Sequence, residues 1–294
     1  MTGLTCILNA AAGPGHGLGL AVEITRLFAE VGTAVTVVTV ADGAGIAFEA
    51  RQAIERGHLI VAGGGDGTVN AVASTLAGTD RVLGVLPLGT CNHFAKDLGL
   101  PLDLRSAVRC ALTGRVRTVD VGEVNGQMFL NNSSLGLYPH LVTGRIAEQK
   151  QGHRKLVALA MAAVGCLRHP QSLLVSLRLD GVEAPARRTP LLFVGNNRYC
   201  IKGPQMGGRT RLDRGELWMC VAHDAGYAEL LGMTVRALAG HLHQGDLEMR
   251  SMADLWVGTK QRKVDVAWDG EVTKMRPPLR YRIHPAALRV MAPG

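Results

Sequence analysis

The chain has 294 residues, 47% of them hydrophobic and only 4% aromatic, with a formal net charge of +8. Such a chain can bury the cores of two domains, and its charge favours anionic partners: phosphates, acidic membrane surfaces or nucleic acid. The scarcity of aromatics, none interleaved with a basic run, argues against stacking platforms for single strands, and six scattered cysteines without a CxxC pair argue against a zinc or disulfide framework. The cysteines read as reduced thiols of a cytoplasmic protein.

Residues 1–4 lead straight into a strand without a basic region or long apolar core, so no signal peptide is expected. Residues 5–9 read as that strand, and residues 18–31 as a helix with Leu20, Ile24, Leu27 and Phe28 on one face. The glycine-rich residues 10–17 between them suit phosphate, but their spacing is neither a dinucleotide fingerprint nor a P-loop. A second strand, 35–40, and a second helix, 46–56, follow.

Residues 58–73 organise the chain. His58-Leu59-Ile60-Val61-Ala62 is a short apolar run, read as a buried strand; Val69, Val72, Ala73 and Leu76 then recur at helical spacing. Between them stands Gly63-Gly64-Gly65-Asp66-Gly67-Thr68. Glycines take positive φ freely and bare their N–H groups, so this loop can cradle phosphate at a helix N-terminus, with Thr68 as the expected cap. Asp66 stands where phosphate-bound Mg²⁺ needs an oxygen ligand. The bland alternatives are a tight turn and a helix-capping aspartate.

Residues 82–86 form the next strand, followed by Pro87-Leu88-Gly89-Thr90 and a helix start that Asn92 can cap. Thr90 offers a hydroxyl and an N–H to phosphate. Residues 104–112 are helical and stop before Gly114. Alternating strands and helices predict a doubly wound, largely parallel α/β sheet, with ligands beyond the carboxyl ends of its strands. The loops after Leu8, Val40, Ala62 and Leu86 fall on that edge.

From about residue 119 the texture changes. Asn125-Gly126, Asp180-Gly181 and Asp269-Gly270 read as hairpin turns, and residues 173–179, 191–195, 217–222 and 264–268 as strands. Helical patterns at 155–167 and 227–241 interrupt them. An antiparallel C-terminal β-sandwich is expected. The apolar stretch 156–167 is shorter than the ~20 residues that span a bilayer. The ten histidines show no ligand spacing.

Gly64-Gly65-Asp66-Gly67-Thr68-x-Asn70 resembles the first signature of the diacylglycerol kinase catalytic-domain family. Pro87-Leu88-Gly89-Thr90-x-Asn92-x-Phe94-Ala95 resembles its second, and Asp269-Gly270-Glu271 with the 283–293 tail its last. The matches come in family order and span nearly the whole chain. The resemblance implies an ATP- and Mg²⁺-dependent lipid kinase with an NAD kinase-like α/β domain, residues 1–120 with 277–294 returning to it, and a β-rich lipid-substrate domain, 121–276. It implies that Gly64, Gly65, Asp66, Gly67, Thr68, Asn70 and Thr90 bind nucleotide, that Asn9 survives from the family's Asn-Pro with Ala10 in place of the proline, and that Thr39 touches the nucleotide. Thr39 reads equally well as a β-branched strand residue.

The same resemblance makes Glu271 the base that deprotonates the lipid hydroxyl; by itself the residue is ordinary after an Asp-Gly turn. The family's second-domain Mg²⁺ motif is altered here to Asp213-Arg214-Gly215-Glu216-Leu217, with an arginine that cannot bind a cation, which leaves Asp213 or Glu216 to substitute as ligand. His93, where the family often has an acid, reads as a neutral helix-face residue. Asn196 and Asn197 line the lipid entrance or close a turn.

The expected partner is a lipid at an anionic membrane surface, with the protein peripheral to the inner face of the membrane, no transmembrane segment, no nucleic acid, and a homodimer as one admissible assembly. A soluble-cofactor kinase such as one acting on NAD, and a non-catalytic nucleotide sensor of the same fold, are the alternatives. The C-terminal Asp-Gly-Glu favours the lipid family over the first, and the paired acids Asp66 and Glu271 disfavour the second.

Overall fold

A computed structural model describes residues 3–10, 18–136, 172–201, 207–223 and 247–294. The chain divides into two units: Met1–Val121 with Arg211–Arg214 and His284–Gly294, and Gly122–Thr210 with Gly215–Ile283. The predicted glycine-rich segment after Ala10 and the helical patterns at 155–167 and 227–241 fall outside the described residues.

In the first unit β1 (Leu4–Asn9), β2 (Thr36–Val40), β3 (Leu59–Gly64) and β4 (Val82–Pro87) form a parallel sheet in the order β2-β1-β3-β4. β1, β3 and β4 are short apolar runs buried on both faces, the pattern of a parallel strand under helices, whereas the edge strand β2 is only partly covered, with Thr36 and Thr39 exposed. Leu4, Cys6, Leu8 and Val61 pack against Ile24, Leu27 and Phe28 of α1 (Leu18–Glu30) and Ala107, Val108 and Ala111 of α5 (Leu104–Thr113). The alternate residues Ile7 and Ile60 are equally buried, and α2 (Gly43–Glu55) and α3 (Asp66–Leu76) pack together against β1 and β3. The fold is therefore doubly wound, as the alternation of elements predicts.

A fifth strand joins from the far end of the chain. β16 (Leu279–Ala292) pairs in parallel with β4 through Arg289↔Val82 and Val290↔Leu83. The buried Asp120 of β5 (Arg115–Val124) accepts the Ala286 N–H at 2.8 Å, and the Asp120 N–H donates to Leu212 O at 2.7 Å.

The second unit is antiparallel. One sheet runs β12-β11-β10-β7-β14-β15, from β12 (Leu247–Met252) through β11 (Leu217–Ala222), β10 (Leu191–Asn196), β7 (Asn132–Gly136) and β14 (Val264–Trp268) to β15 (Glu271–Met275). The other joins β8 (Leu173–Leu179), β9 (Val182–Thr189), β13 (Asp254–Thr259) and the start of β16. Leu192, Val194, Met219 and Val266 of the first share one core with Val175, Leu177, Val257 and Tyr281 of the second, which makes the sandwich.

The three predicted turns are all present: both central residues have positive φ at Asn125-Gly126 (47° and 83°), Asp180-Gly181 (46° and 85°) and Asp269-Gly270 (45° and 89°). That is the type I′ geometry whose twist matches paired strands. Among the described residues no helix is long and apolar enough to cross a membrane.

Candidate active site

The central glycine stretch is tighter than its sequence suggests. β3 runs through Gly64 and α3 starts at Asp66, so Gly65 alone makes the turn. None of Gly63, Gly64, Gly65 and Gly67 lies in the left-handed region, which corrects the expectation that positive φ calls for them. Close approach explains three of them instead. A Cβ on Gly64 would stand 2.5 Å from the Thr68 Cβ, one on Gly63 3.2 Å from Leu8 Cδ1, and one on Gly65 3.3 Å from the Gly89 Cα. Strand pairing places Gly64 opposite Pro87, and Leu88 N–H donates to Gly64 O at 2.9 Å. The two signature loops thus lie back to back with no side chain between them.

Thr68 is not the helix cap. It is buried inside the first turn of α3, whose N-cap is Gly65, and its Oγ1 accepts from Asn9 Nδ2 at 3.1 Å. That bond ties the end of β1 to the turn after β3. Asp66 Oδ1 accepts the Phe94 N–H at 3.2 Å, which ties the turn to α4 (His93–Asp97). The second Asp66 oxygen has no partner among the described residues. Helix geometry leaves the N–H groups of Asp66, Gly67 and Thr68 without intrahelical acceptors, in the positive end of the helix dipole.

Asn92 occupies the N-cap of α4 but does not cap it with its side chain, contrary to expectation. It adopts φ 50°, accepts Gly89 N–H at 3.0 Å, and donates to Pro87 O and Gly89 O at 3.2 and 2.8 Å. It therefore folds the second loop onto itself and leaves Thr90 exposed at the tip. Thr39, opposite Leu8 in β2, is exposed, Asn70 is buried within α3, and His93 is exposed. Asn9, Gly64, Gly65, Asp66, Thr68 and the Thr90 loop so converge on the carboxyl edge of one parallel sheet, where doubly wound folds bind ligands. A glycine cradle at a helix N-terminus beside a half-bonded carboxylate fits nucleotide phosphates with a divalent cation.

Glu271 belongs to the second unit, exposed at the start of β15. The residue two before it is the larger surprise. The Asp269 carboxylate is half-buried and accepts N–H groups from Leu130, Asn131 and Asn132 at 2.7, 2.8 and 3.1 Å. Burial raises its pKa to about 6 against the opposing pull of those three donors and of Arg209. Arg209, only 4% exposed, donates Nη1 to Leu130 O and Asn196 O at 2.6 and 2.8 Å and Nη2 to Asn131 Oδ1 at 2.7 Å. Sequence reading passed over Arg209, a lone arginine in a polar stretch without periodicity. Asn196 and Asn197 are buried; Asn197 takes φ 66° and bonds Asn196 Oδ1, so the pair closes a turn.

Asp213 does not offer a free carboxylate to a metal. Arg211 donates Nε and Nη2 to its two oxygens at 2.7 and 3.2 Å, which holds its pKa below the usual carboxylate range. Among the described residues no group of three His, Cys, Asp or Glu could hold a metal ion, while Glu216 Oε1 is buried without a hydrogen-bond partner.

Residues 3–124 match the diacylglycerol kinase catalytic domain, and residues 141–292 the YegS C-terminal NAD kinase beta sandwich-like domain. The chain is 34% identical over 251 residues to a Pseudomonas fluorescens protein named "Probable lipid kinase YegS-like", covering 83% of this chain and 80% of that one. It is 41% identical over 232 residues to a Bacillus subtilis protein named "Diacylglycerol kinase", covering 76% and 75%. A Bacillus anthracis diacylglycerol kinase crystal structure superposes with TM-score 0.70 at 18% identity, covering 99% and 96%. An Archaeoglobus fulgidus NAD kinase in complex with ATP gives 0.52 at 13%, covering 97% and 91%. These two structures show the fold alone.

Proposed function

The chain belongs to the diacylglycerol kinase catalytic-domain family, and on that premise we propose that it transfers the γ-phosphoryl group of ATP, with Mg²⁺, to the hydroxyl of a diacylglycerol-like lipid at an anionic membrane surface. The observation that carries this reading is the back-to-back seating of the two signature loops, with Gly65 against Gly89 and Asp66 bonded to Phe94 N–H. Phosphoryl transfer needs positioning and charge neutralisation more than covalent chemistry. The backbone N–H groups of the α3 first turn supply donors to phosphate oxygens, and Thr90 and Thr39 add hydroxyls at the same sheet edge. Asn9 acts from behind, through Thr68.

Asp66 would hold Mg²⁺ through the oxygen that Phe94 leaves open; the ion, when bound, neutralises phosphate charge. Glu271 takes the proton of the acceptor hydroxyl. A general base must reach the hydroxyl at hydrogen-bond distance, and Glu271 stands exposed at the start of β15, open to an acceptor. The alternative acceptor, a soluble cofactor such as NAD, rests on the ATP-bound NAD kinase of related fold, at 13% identity.

The test is ATP-dependent phosphorylation of a panel of purified lipids in detergent micelles, with NAD as the soluble competitor. Transfer to at least one glycerolipid and none to NAD is expected. Transfer to NAD alone would overturn the lipid reading; ATP binding without transfer to any acceptor would make the protein a nucleotide sensor.

A further inference from the structure

The segment Leu130–Asn132 is gripped from two sides. Asp269 takes its three N–H groups, and the Asp269 N–H returns a bond to Asn132 O at 3.0 Å. Arg209 and Asn196 take the other side: Leu130 O accepts from both, and the Asn131 carbonyl accepts Asn196 N–H at 2.9 Å. Tyr199 lies over the Arg209 guanidinium at 5.3 Å and stacks on Trp218. This network ends, two residues on, at Glu271.

A type I′ turn does not require such an anchor. It needs positive φ at two residues, which Asn125-Gly126 and Asp180-Gly181 supply equally. Those turn residues also bond a neighbouring strand: Asn125 Oδ1 accepts one N–H, from Arg280, and Asp180 Oδ1 accepts two, from Ala253 and Asp254. Both sites are exposed, where a side-chain bond is inexpensive. At residue 269 the acceptor is a half-buried carboxylate, with three donors and a buried arginine beyond. Withdrawing two ionised groups from water is costly in stability and is tolerated where geometry has to be held.

We propose that Asp269, backed by Arg209, is a positioning residue for Glu271, locking the turn that carries the base so that the base does not depend on a freely moving hairpin tip. The inference rests on the reading of Glu271 as the base. A general base must be held close to its target, since a misplacement near 1 Å can cost about 100-fold in rate.

The test is a double-mutant cycle on the full chain, read as phosphorylation of 1,2-dioleoylglycerol in detergent micelles. Asp269→Asn keeps size but exchanges an acceptor oxygen for a donor facing backbone N–H groups. Its kcat should fall about 10- to 100-fold with the KM for ATP within about twofold, and it should cost almost nothing further in a Glu271→Gln background. Arg209→Lys keeps the charge but loses the fork, and should show the same non-additivity if Asp269→Asn folds poorly. Amide exchange at Leu130–Asn132 and Gly270–Val272 should quicken in either variant. Fully additive losses, or unchanged protection of the turn, would overturn the positioning role. Normal turnover in Asp269→Asn beside a crippled Glu271→Gln would overturn it while sparing the base. Normal turnover in Glu271→Gln would remove the base, and this proposal with it.

Discussion

Gly65 and Gly89 meet backbone to backbone: a methyl on Gly89 would overlap the Gly65 Cα, and one on Gly65 would come within 3.3 Å of the Gly89 Cα. Gly89→Ala must therefore separate two loops that Asn92 and Leu88 hold together. Overpacking of this kind costs about 1–3 kcal/mol, and here the displacement lands on the proposed phosphate cradle. Calorimetric titration with ATP should show at least about tenfold weaker binding, with a lowered melting temperature but a native circular dichroism spectrum. Wild-type affinity would mean that the second loop does not shape the nucleotide site.

Asp66→Ala separates metal binding from folding. The lost Phe94 N–H bond is half-buried and costs about 1 kcal/mol of stability. Turnover should fall by at least about 100-fold, the scale on which removing one preorganised electrostatic group acts. Near-normal kinase rates in a folded variant would reduce Asp66 to the link between α3 and α4.

Much of this arrangement was legible in the sequence, because β1, β3 and β4 are short apolar runs followed by punctuating glycines, and three Asn-Gly or Asp-Gly pairs mark the turns. What was not legible depends on partners distant in the chain. β3 continues into Gly63 and Gly64, poor strand formers, because pairing with β4 carries the ladder to Gly64↔Pro87. Thr68 has the composition of a cap, but Asn9, 59 residues earlier, recruits its hydroxyl. β9 contains Pro185 and two adjacent arginines, which hides a strand that pairs β8 and ends its sheet among the described residues. Asp269 looked like half of a turn signal; its three donors lie 137 to 139 residues away.

Membrane recruitment should be electrostatic. With +8 overall and no spanning helix among the described residues, attraction to anionic headgroups amounts to about 1 kcal/mol per basic residue near the surface. Sedimentation with phosphatidylglycerol-containing vesicles should exceed that with neutral phosphatidylcholine, and the difference should shrink as salt rises from 0.05 to about 0.5 M. Equal binding to both vesicle types at all salt concentrations would sink this reading.

The Arg211–Asp213 pair predicts a metal-independent fold. Both residues are substantially exposed, so the pair itself contributes little stability. What matters is that a guanidinium already engages both Asp213 oxygens. Melting in EDTA and in Mg²⁺, without nucleotide, should differ by less than about 2 °C, under roughly 1 kcal/mol for a chain of this length. A large Mg²⁺-dependent rise would mean that Glu216 or Asp213 rebuilds a cation site.

Asp269 should also leave a signature in the pH dependence of stability. Its carboxyl titrates near 6 in the folded protein, because burial outweighs the three N–H donors, against 3.8 for the ordinary group. The folded state therefore binds the proton more tightly than the unfolded state between those values. The favourable contribution is complete below about pH 4 and is lost as pH rises through 6; a shift of about two pKa units corresponds to roughly 3 kcal/mol. Urea denaturation of wild type and Asp269→Asn at pH 4.5 and 7 isolates this term, because the other titrating groups are common to both. Wild type should gain on the variant as pH falls from 7 to 4.5. A stability difference that stays constant, or that favours wild type more at pH 7, would mean that the three backbone N–H groups and Arg209 hold the carboxylate ionised as firmly as water does.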